Sequence, residues 1–151
     1  MGQQQLLLVI LVTIIVGIAT VVAINIFGTA SEQANRDAVR NDLLAAAVQA
    51  QGIWTRPLLM DGAGRDFTNV DEIDLLPRLN IPANADFEAG TDTQLENENG
   101  TYSVTIDDED QITITGTPSG DSDDIEVIVS RDDATGNWEV TVDGVSSTPP
   151  A

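Results

Sequence analysis

The first thirty residues of the chain carry no charged side chain, whereas all 25 acidic residues and all six arginines follow them. Between residues 6 and 27 the side chains are apolar except at Thr13, Gly17, Thr20 and Asn25. A helix of about 20 apolar residues is long enough to cross the hydrocarbon core of a bilayer. The pattern therefore predicts a helix that is apolar on every side, which lipid or other copies of the chain must cover.

A second pattern begins at Ser31. Apolar residues recur there at spacings of three and four, namely at Ala34, Ala38, Val39, Leu43, Ala46, Ala47, Ala50 and Ile53. This spacing places them on one face of an amphipathic helix. Gly28, near the junction, costs a helix only about 1 kcal/mol. We therefore predict one helix over residues 1–51, with an apolar half over 1–28 and a half over 29–52 that packs on a folded head.

Residues 53–100 contain Gly, Pro and acidic residues and predict a loop-rich connection, with a short helical turn over residues 71–79 that Pro77 interrupts. Four later segments alternate apolar and polar residues with a period of two: 102–106, 112–114, 125–129 and 138–142. Such segments, separated by Asp, Gly and Asn turns, are typical of an antiparallel meander. We expect this four-stranded sheet over residues 101–145, followed by a tail over residues 146–151.

The predicted fold class is therefore α+β. A long N-terminal α-helix has a protruding apolar half, and its second half packs on a C-terminal antiparallel β-meander. One face of the meander is apolar and must be covered, and the amphipathic half of the helix is the segment that can cover it.

Three stretches of the helix together resemble a known family. They are Met1-Gly2-Gln3-Gln4-Gln5-Leu6-Leu7-Leu8-Val9-Ile10, the apolar run to Phe27, and Ala34-Asn35-Arg36-Asp37-Ala38. The arrangement resembles the type IV pilins and the related pseudopilins. The resemblance covers about one third of the chain by motif and the rest by architecture only. Family members usually carry a glutamate early in the apolar segment, where Gln5 stands here, and often a proline, which is absent from residues 1–30.

The resemblance implies a structural subunit of an extracellular filament and not an enzyme. The subunit would be held in the inner membrane before assembly, be handled by a pilus assembly machinery, and then join identical subunits at the cell surface. The residues expected to form the apolar bundle of such a homo-oligomer are Met1, Gln3, Gln4, Gln5, Leu6, Leu7, Leu8, Ile10, Leu11, Ile14, Ile15, Ile18, Val21, Val22, Ile24 and Phe27.

Other interpretations of the apolar segment stay open. A cleavable secretory signal has a basic beginning and an apolar core of roughly 7–15 residues, and this segment is longer and has no Lys or Arg. A single-pass anchor of an extracellular binding module needs basic residues to set its orientation, and the nearest are Arg36 and Arg40 on the C-terminal side. A pseudopilin of a secretion system would form a short polymer instead of a long filament.

The formal net charge is −19, and the chain has no Lys, His or Cys. Phosphate groups need basic partners, so contact with nucleic acid is not predicted. Without cysteine, disulfides and thiolate metal sites are excluded. An acidic, lysine-free surface suits a salt-rich environment, where the Debye length shrinks to a few Å and self-repulsion is screened. An ordinary acidic extracellular protein is the alternative.

Carboxylate clusters are the only candidates for a chemical site, and they lie between the predicted strands: residues 107–110, Asp121 with Asp123 and Asp124, and Asp132 with Asp133. Calcium takes 6–8 oxygen ligands, which loop carboxylates supply. Their spacing does not match an EF-hand, and Asp is also common in turns for conformational reasons. We therefore predict solvated turns, with no metal, no cofactor and no catalytic residue.

Overall fold

A computed structural model of the chain describes residues 2–142 and 145–146. Helix α1 covers Gly2–Thr55, and α2 covers Glu72–Arg78. Two short 3-10 helices lie between them, at Leu58–Met60 and Phe67–Asn69. The six strands are β1 (Leu95–Glu96), β2 (Gly100–Asp108), β3 (Gln111–Pro118), β4 (Ile125–Arg131), β5 (Trp138–Val142) and β6 (Val145–Ser146). The α+β fold class is thus confirmed.

The strands form one antiparallel sheet in the order β1-β2-β3-β4-β5-β6. Strands β2 to β5 are the four that the alternating pattern predicts. The two-residue strands β1 and β6 were not predicted, because two residues are too few to show a period. Of the expected tail, residues 147–151 lie outside the described part of the chain, as do Asp143 and Gly144.

The chain divides into two compact units, Met1–Ala34 and Asn35–Ala151. In the first unit, every described residue is helical and exposed. Every residue that the structure describes as buried lies in the second unit. Helix α1 ends four residues later than predicted, at Thr55 rather than Gln51, and neither Gly17 nor Gly28 interrupts it.

The apolar face of the sheet packs against the second half of α1. The helix contributes a stripe of buried residues, which are Val39, Leu43, Ala46, Ala47, Ala50, Ile53 and Trp54. Alternate residues of β2, β3 and β4 complete this core, which is one cluster with α1. Of the predicted stripe, Ala38 is only half-buried and Ala34 is exposed. The helical period therefore located the packing face correctly from Val39 onward.

Gly116 of β3 shows how closely α1 approaches the sheet. A Cβ at Gly116 would lie 2.6 Å from Cγ1 of Val39 and 3.2 Å from Cδ1 of Leu43. Gly116 is buried on the helix-facing side of β3. The missing side chain therefore allows a β-branched residue and a leucine of α1 to pack directly over the strand.

Polar contacts join the same two elements. The Tyr102 hydroxyl of β2 donates to Oδ2 of Asp42 at 2.7 Å, and Nδ2 of Asn99 donates to the same oxygen at 3.2 Å. Burial, together with the neighbouring Asp42 carboxylate, raises the pKa of Tyr102 well above its ordinary value. Because a buried hydroxyl needs a partner, this network fixes the position of α1 relative to β2.

The connection over residues 53–100 is richer in structure than its composition indicates. It contains α2 in spite of Pro77, and it adds apolar side chains to the core, which are Ala63, Phe67, Val70, Leu75, Leu76, Leu79, Ile81 and Leu95. Most of residues 82–94 are exposed, as expected for a polar connection. These apolar residues have no regular period because they come from several short elements and the loops between them.

We expect Gly116→Ala to destabilise the second unit by about 1–3 kcal/mol, because the added methyl overpacks the helix–sheet contact. Gly52→Ala is the matched control, since a Cβ there meets nothing within 4 Å and lies in α1. The control should be neutral or stabilise by about 0.5–1 kcal/mol. Urea unfolding of the full chain in detergent, followed by tryptophan fluorescence, measures both. Equal stability of the two variants would contradict the close packing at Gly116.

Candidate assembly segment and acidic corner

The residues predicted to form an apolar bundle share one location. Those from Gln3 to Phe27 all lie in α1 within the first unit, and all are exposed, while Met1 lies outside the described residues. Phe27 is 81% exposed, and Val12, among the least exposed large apolar residues there, is still 49% exposed. The first unit alone therefore leaves a continuous apolar surface, which we call the assembly segment (residues 3–27).

Polar side chains of the assembly segment fall into two groups. The hydroxyls of Thr13 and Thr20 donate to the carbonyls of Val9 and Val16, at 2.7 and 2.8 Å. Within the described part of the chain, the side-chain amides of Gln3, Gln4, Gln5 and Asn25 make no hydrogen bond. The threonines are thus satisfied in an apolar environment, whereas the four amides need partners from outside the helix if they are buried.

Helix α1 is long and apolar enough to cross a membrane, by length and composition. The apolar window that meets this test is not buried within the chain. Membrane insertion through the assembly segment is therefore consistent with the structure.

A second feature lies at one end of the sheet, where the β2–β3 turn meets the β4–β5 loop. Carboxylate oxygens of Glu109, Asp110 and Asp133 lie within 4.8 Å of one another. Nη1 of Arg131 lies 3.6 Å from Oδ1 of Asp133 and 4.0 Å from Oδ2 of Asp110. We call these four residues the acidic corner.

Aromatic side chains contact the acidic corner. The guanidinium carbon of Arg131 lies 4.7 Å from the ring centroid of Trp54, which is a cation–π distance. The Trp54 ring meets Trp138 edge-on at 5.4 Å, and its Nε1 donates to the carbonyl of Glu109 at 3.2 Å. The backbone N–H of Phe67 donates to the same carbonyl at 2.9 Å. These contacts hold the β2–β3 turn and Arg131 in place.

The electrostatics of the corner differ from those of the other turns. Burial, and then the hydrogen bond and charge of Asp133, raise the pKa of Asp110 to about 6. In contrast, the Arg36 hydrogen bond lowers the pKa of Asp121, and backbone donation from Ala134 lowers that of Asp132. Like charge thus raises the pKa of Asp110, whereas hydrogen bonds to Asp121 and Asp132 stabilise the ionised form of those two carboxylates.

Three carboxylates at this distance offer ligand oxygens of the type that Ca²⁺ prefers. The corner already contains a cation, because Arg131 contacts two of the carboxylates. Asp107 accepts from the hydroxyl of Thr113 at 2.6 Å, and Asp124 accepts from that of Thr117 at 2.6 Å, so these acids serve their own turns and strands. The absence of a metal stays a prediction, which the calcium experiment below tests.

Sequence reasoning named the three acids of the corner in two separate clusters, 107–110 and 132–133, and did not name Arg131. It did not predict that they meet. In a meander, alternate turns lie at the same end of the sheet, so the β2–β3 and β4–β5 connections are neighbours. That rule, applied to the predicted strand order, would have placed Asp110 beside Asp133.

Acidification from pH 6 to pH 4 should strengthen the contribution of Asp110 to stability. Its pKa is raised in the folded state, so the folded chain binds this proton more tightly than the unfolded chain does. The contribution is therefore present near pH 4 and is lost as the pH rises through about 6. Urea midpoints of the full chain in non-ionic detergent at several pH values measure the effect.

Asp133→Asn should flatten this pH dependence, because it removes the neighbouring charge and offers an amide donor to Asp110. Asp123→Asn, an exposed turn position outside the corner, removes the same charge and should leave the pH dependence in place. A slope between pH 4 and pH 6 that is the same in both variants would contradict the pairing of Asp110 with Asp133.

Calcium should not stabilise the fold specifically. A ligand at 100 times its dissociation constant adds about 2.7 kcal/mol to the stability of the state it binds. Unfolding of the full chain with Ca²⁺ or with chelator, at one high ionic strength, should give the same midpoint. A calcium-specific rise of that size, lost in Glu109→Gln with Asp133→Asn, would overturn the prediction.

The comparisons add no relative to this description. Neither the models of known protein families nor the curated proteins nor the solved structures give a match to the chain. The function that follows therefore depends on the sequence pattern and on the geometry of the assembly segment and the second unit.

Proposed function

We propose that the chain is a structural subunit of an extracellular filament similar to a type IV pilus. The subunit polymerises through the assembly segment, and the acidic second unit faces the solvent. Before assembly the segment lies in the membrane, and an assembly machinery then transfers the subunit to the filament at the cell surface. The observation that carries this proposal is the charge-free, fully exposed assembly segment at the start of α1.

The energetics favour covering the assembly segment. Moving an apolar side chain from water into an apolar environment contributes about 1.5–3 kcal/mol. The exposed residues include a near-continuous run of large side chains from Leu6 to Phe27. A surface of this kind marks an interaction with membrane or protein, because monomeric soluble proteins rarely leave one uncovered.

Both environments in the proposed pathway are apolar, so a subunit passes from lipid into the polymer without exposing the segment to water. Within a bundle of identical helices, the amides of Gln3, Gln4, Gln5 and Asn25 meet the same amides or N-terminal amines of neighbours. Interhelical hydrogen bonds of this type support association in apolar surroundings. Gln5 accepts a hydrogen bond as a glutamate would, but it brings no charge.

The α+β architecture of the second unit supports the same proposal. Its helix packs on an antiparallel sheet by one face, as the resemblance to pilins implies. A membrane-anchored binding module is the rival, and it makes a different prediction. Such a module stays monomeric in micelles and never sediments as a fibre, whereas a filament subunit yields fibres in material sheared from cells.

Ile18→Asp should abolish filaments. A charged side chain buried without a partner in an apolar bundle costs several kcal/mol, and about 3 kcal/mol lowers the affinity for the next subunit roughly 100-fold. Negative-stain images of sheared material, from cells that assemble the parent chain, give the filament yield. Val16→Asp should have the same effect, since it lies in the same segment.

Val48→Asp is the matched control, because Val48 also lies in α1 but is exposed in the second unit, at 66%. It should keep the filament yield of the parent chain. Ile18→Leu tests whether any change at residue 18 is harmful, and it should also assemble. Normal filaments from Ile18→Asp would show that the apolar segment is not the assembly core.

A further inference from the structure

A second exposed apolar surface follows the end of α1, in the loop over residues 56–65. Leu58, Leu59 and Met60 form its 3-10 helix, and they are 57%, 100% and 69% exposed. Among the described residues of the second unit, only Leu44 and Val48 are other exposed large apolar side chains, and both are in α1. The three consecutive residues therefore form the tip of a loop, which we call the Leu59 loop.

The Leu59 loop is held rigidly. Backbone N–H groups of Ala63, Gly64 and Arg65 donate to the carbonyls of Ile53, Arg56 and Trp54, at 2.9, 2.8 and 2.8 Å. The last carbonyls of a helix have no partner within the helix, so the loop supplies the donors that they lack. The exposed tip is thus fixed by the end of α1, and binding through it requires little ordering.

Backbone conformation in the loop is unusual for the residues that adopt it. Asp61 and Arg65 both have positive φ, at 55° and 70°, although neither is glycine. Gly62 is buried, and a Cβ there would collide with the carbonyl of Arg56. Residues held in sparsely populated conformations concentrate at sites of function.

Charge distinguishes the loop from the rest of the second unit. Arg56 and Arg65 are exposed at its two ends, and neither side chain has a partner among the described residues. Elsewhere Arg36 pairs with Asp121, Arg131 pairs within the acidic corner, and Arg78 donates to the carbonyl of Asp61. In a chain with 25 acidic residues and six arginines, two guanidinium groups beside an apolar tip fit a partner that carries carboxylates.

We propose that the Leu59 loop docks on an acidic surface of a second copy of this chain. Each copy offers such surfaces, for example at Asp107 with Asp108 at the end of β2 and at Asp123 with Asp124 before β4, and all four residues are exposed. Arg56 and Arg65 bind carboxylates of the neighbour as charge-assisted pairs, and Leu59 is covered between them. The docking depends on the proposed function in one respect: a filament would hold the copies at a high local concentration.

Photo-crosslinking of the full chain tests this contact. The chain has no cysteine, so Met60→Cys introduces a single thiol beside an intact Leu59. A benzophenone maleimide on this thiol is activated in neutral phosphatidylcholine vesicles and in vesicles with anionic lipid. We expect a covalent dimer in both, with the adduct mapped by mass spectrometry to an acidic peptide of the second unit. Val48→Cys, equally exposed but in α1, is the matched control and should give several-fold less dimer.

Variants of the loop separate the contribution of the two arginine charges from that of the apolar Leu59 side chain. Arg56→Gln with Arg65→Gln should lower the dimer yield about fivefold, the change expected for two exposed ion pairs. Lysine at both positions should restore most of the yield because the charges remain. Leu59→Ser should lower the yield with both arginines present. Adducts to lipid alone, or equal yields from Met60→Cys and Val48→Cys, would overturn the proposal.

The same samples distinguish failure of the docking from failure of the proposed function. If the chain forms the Leu59 loop adduct in vesicles but no filaments on cells, the proposed filament function is contradicted and the docking proposal stands. Filaments from a chain whose Met60→Cys variant gives no acidic-peptide adduct contradict the docking alone.

Discussion

Packing of α1 on the apolar face of the sheet is the interaction on which the second unit depends. The unit contains no disulfide, so one hydrophobic core must hold the strands, the short helices and α1 together. Small residues on both sides make the contact close: Ala46, Ala47 and Ala50 on the helix, and Gly116 on β3. Tyr102 and Asp42 add a polar bond to the same contact. Because α1 also contains the assembly segment, one helix combines an exposed apolar half with a half that packs on the sheet.

Charge imposes the second constraint. Crowded carboxylates destabilise a compact state, and the chain has few cations with which to relieve the repulsion. Arg131 lies between the carboxylates of Asp110 and Asp133, and its guanidinium group also stacks on the ring of Trp54. One cation therefore stabilises both the acidic turns and the aromatic cluster. Arg36 does similar work at Asp121. Arg56 and Arg65 on the exposed Leu59 loop differ from these two arginines. Neither side chain has a partner among the described residues, so both can bind carboxylates of another molecule.

The two proposed surfaces have complementary physical roles. The proposed burial of the assembly segment would be strong but non-directional, since the hydrophobic effect does not select one register of apolar helices. Docking of the Leu59 loop would be weaker and directional, because its backbone is fixed and its cations must meet carboxylates. Directional contacts between acidic units would select one arrangement among those that the apolar segment permits.

The sequence by itself determined the exposed apolar half of α1, its amphipathic half and strands β2 to β5, because each shows a sustained period or a run of one residue class. The helix end at Thr55 was missed by four residues, since Trp54 is kept helical by its contacts with Trp138 and Arg131. Only the tertiary structure decided that Phe67 and Leu95 enter the core, that Asp110 meets Asp133, and that Leu59 is held in solvent. The first two outcomes depend on contacts between segments that are distant in the chain. The third depends on loop N–H groups that donate to carbonyls at the end of α1. Such contacts leave no local pattern in the sequence.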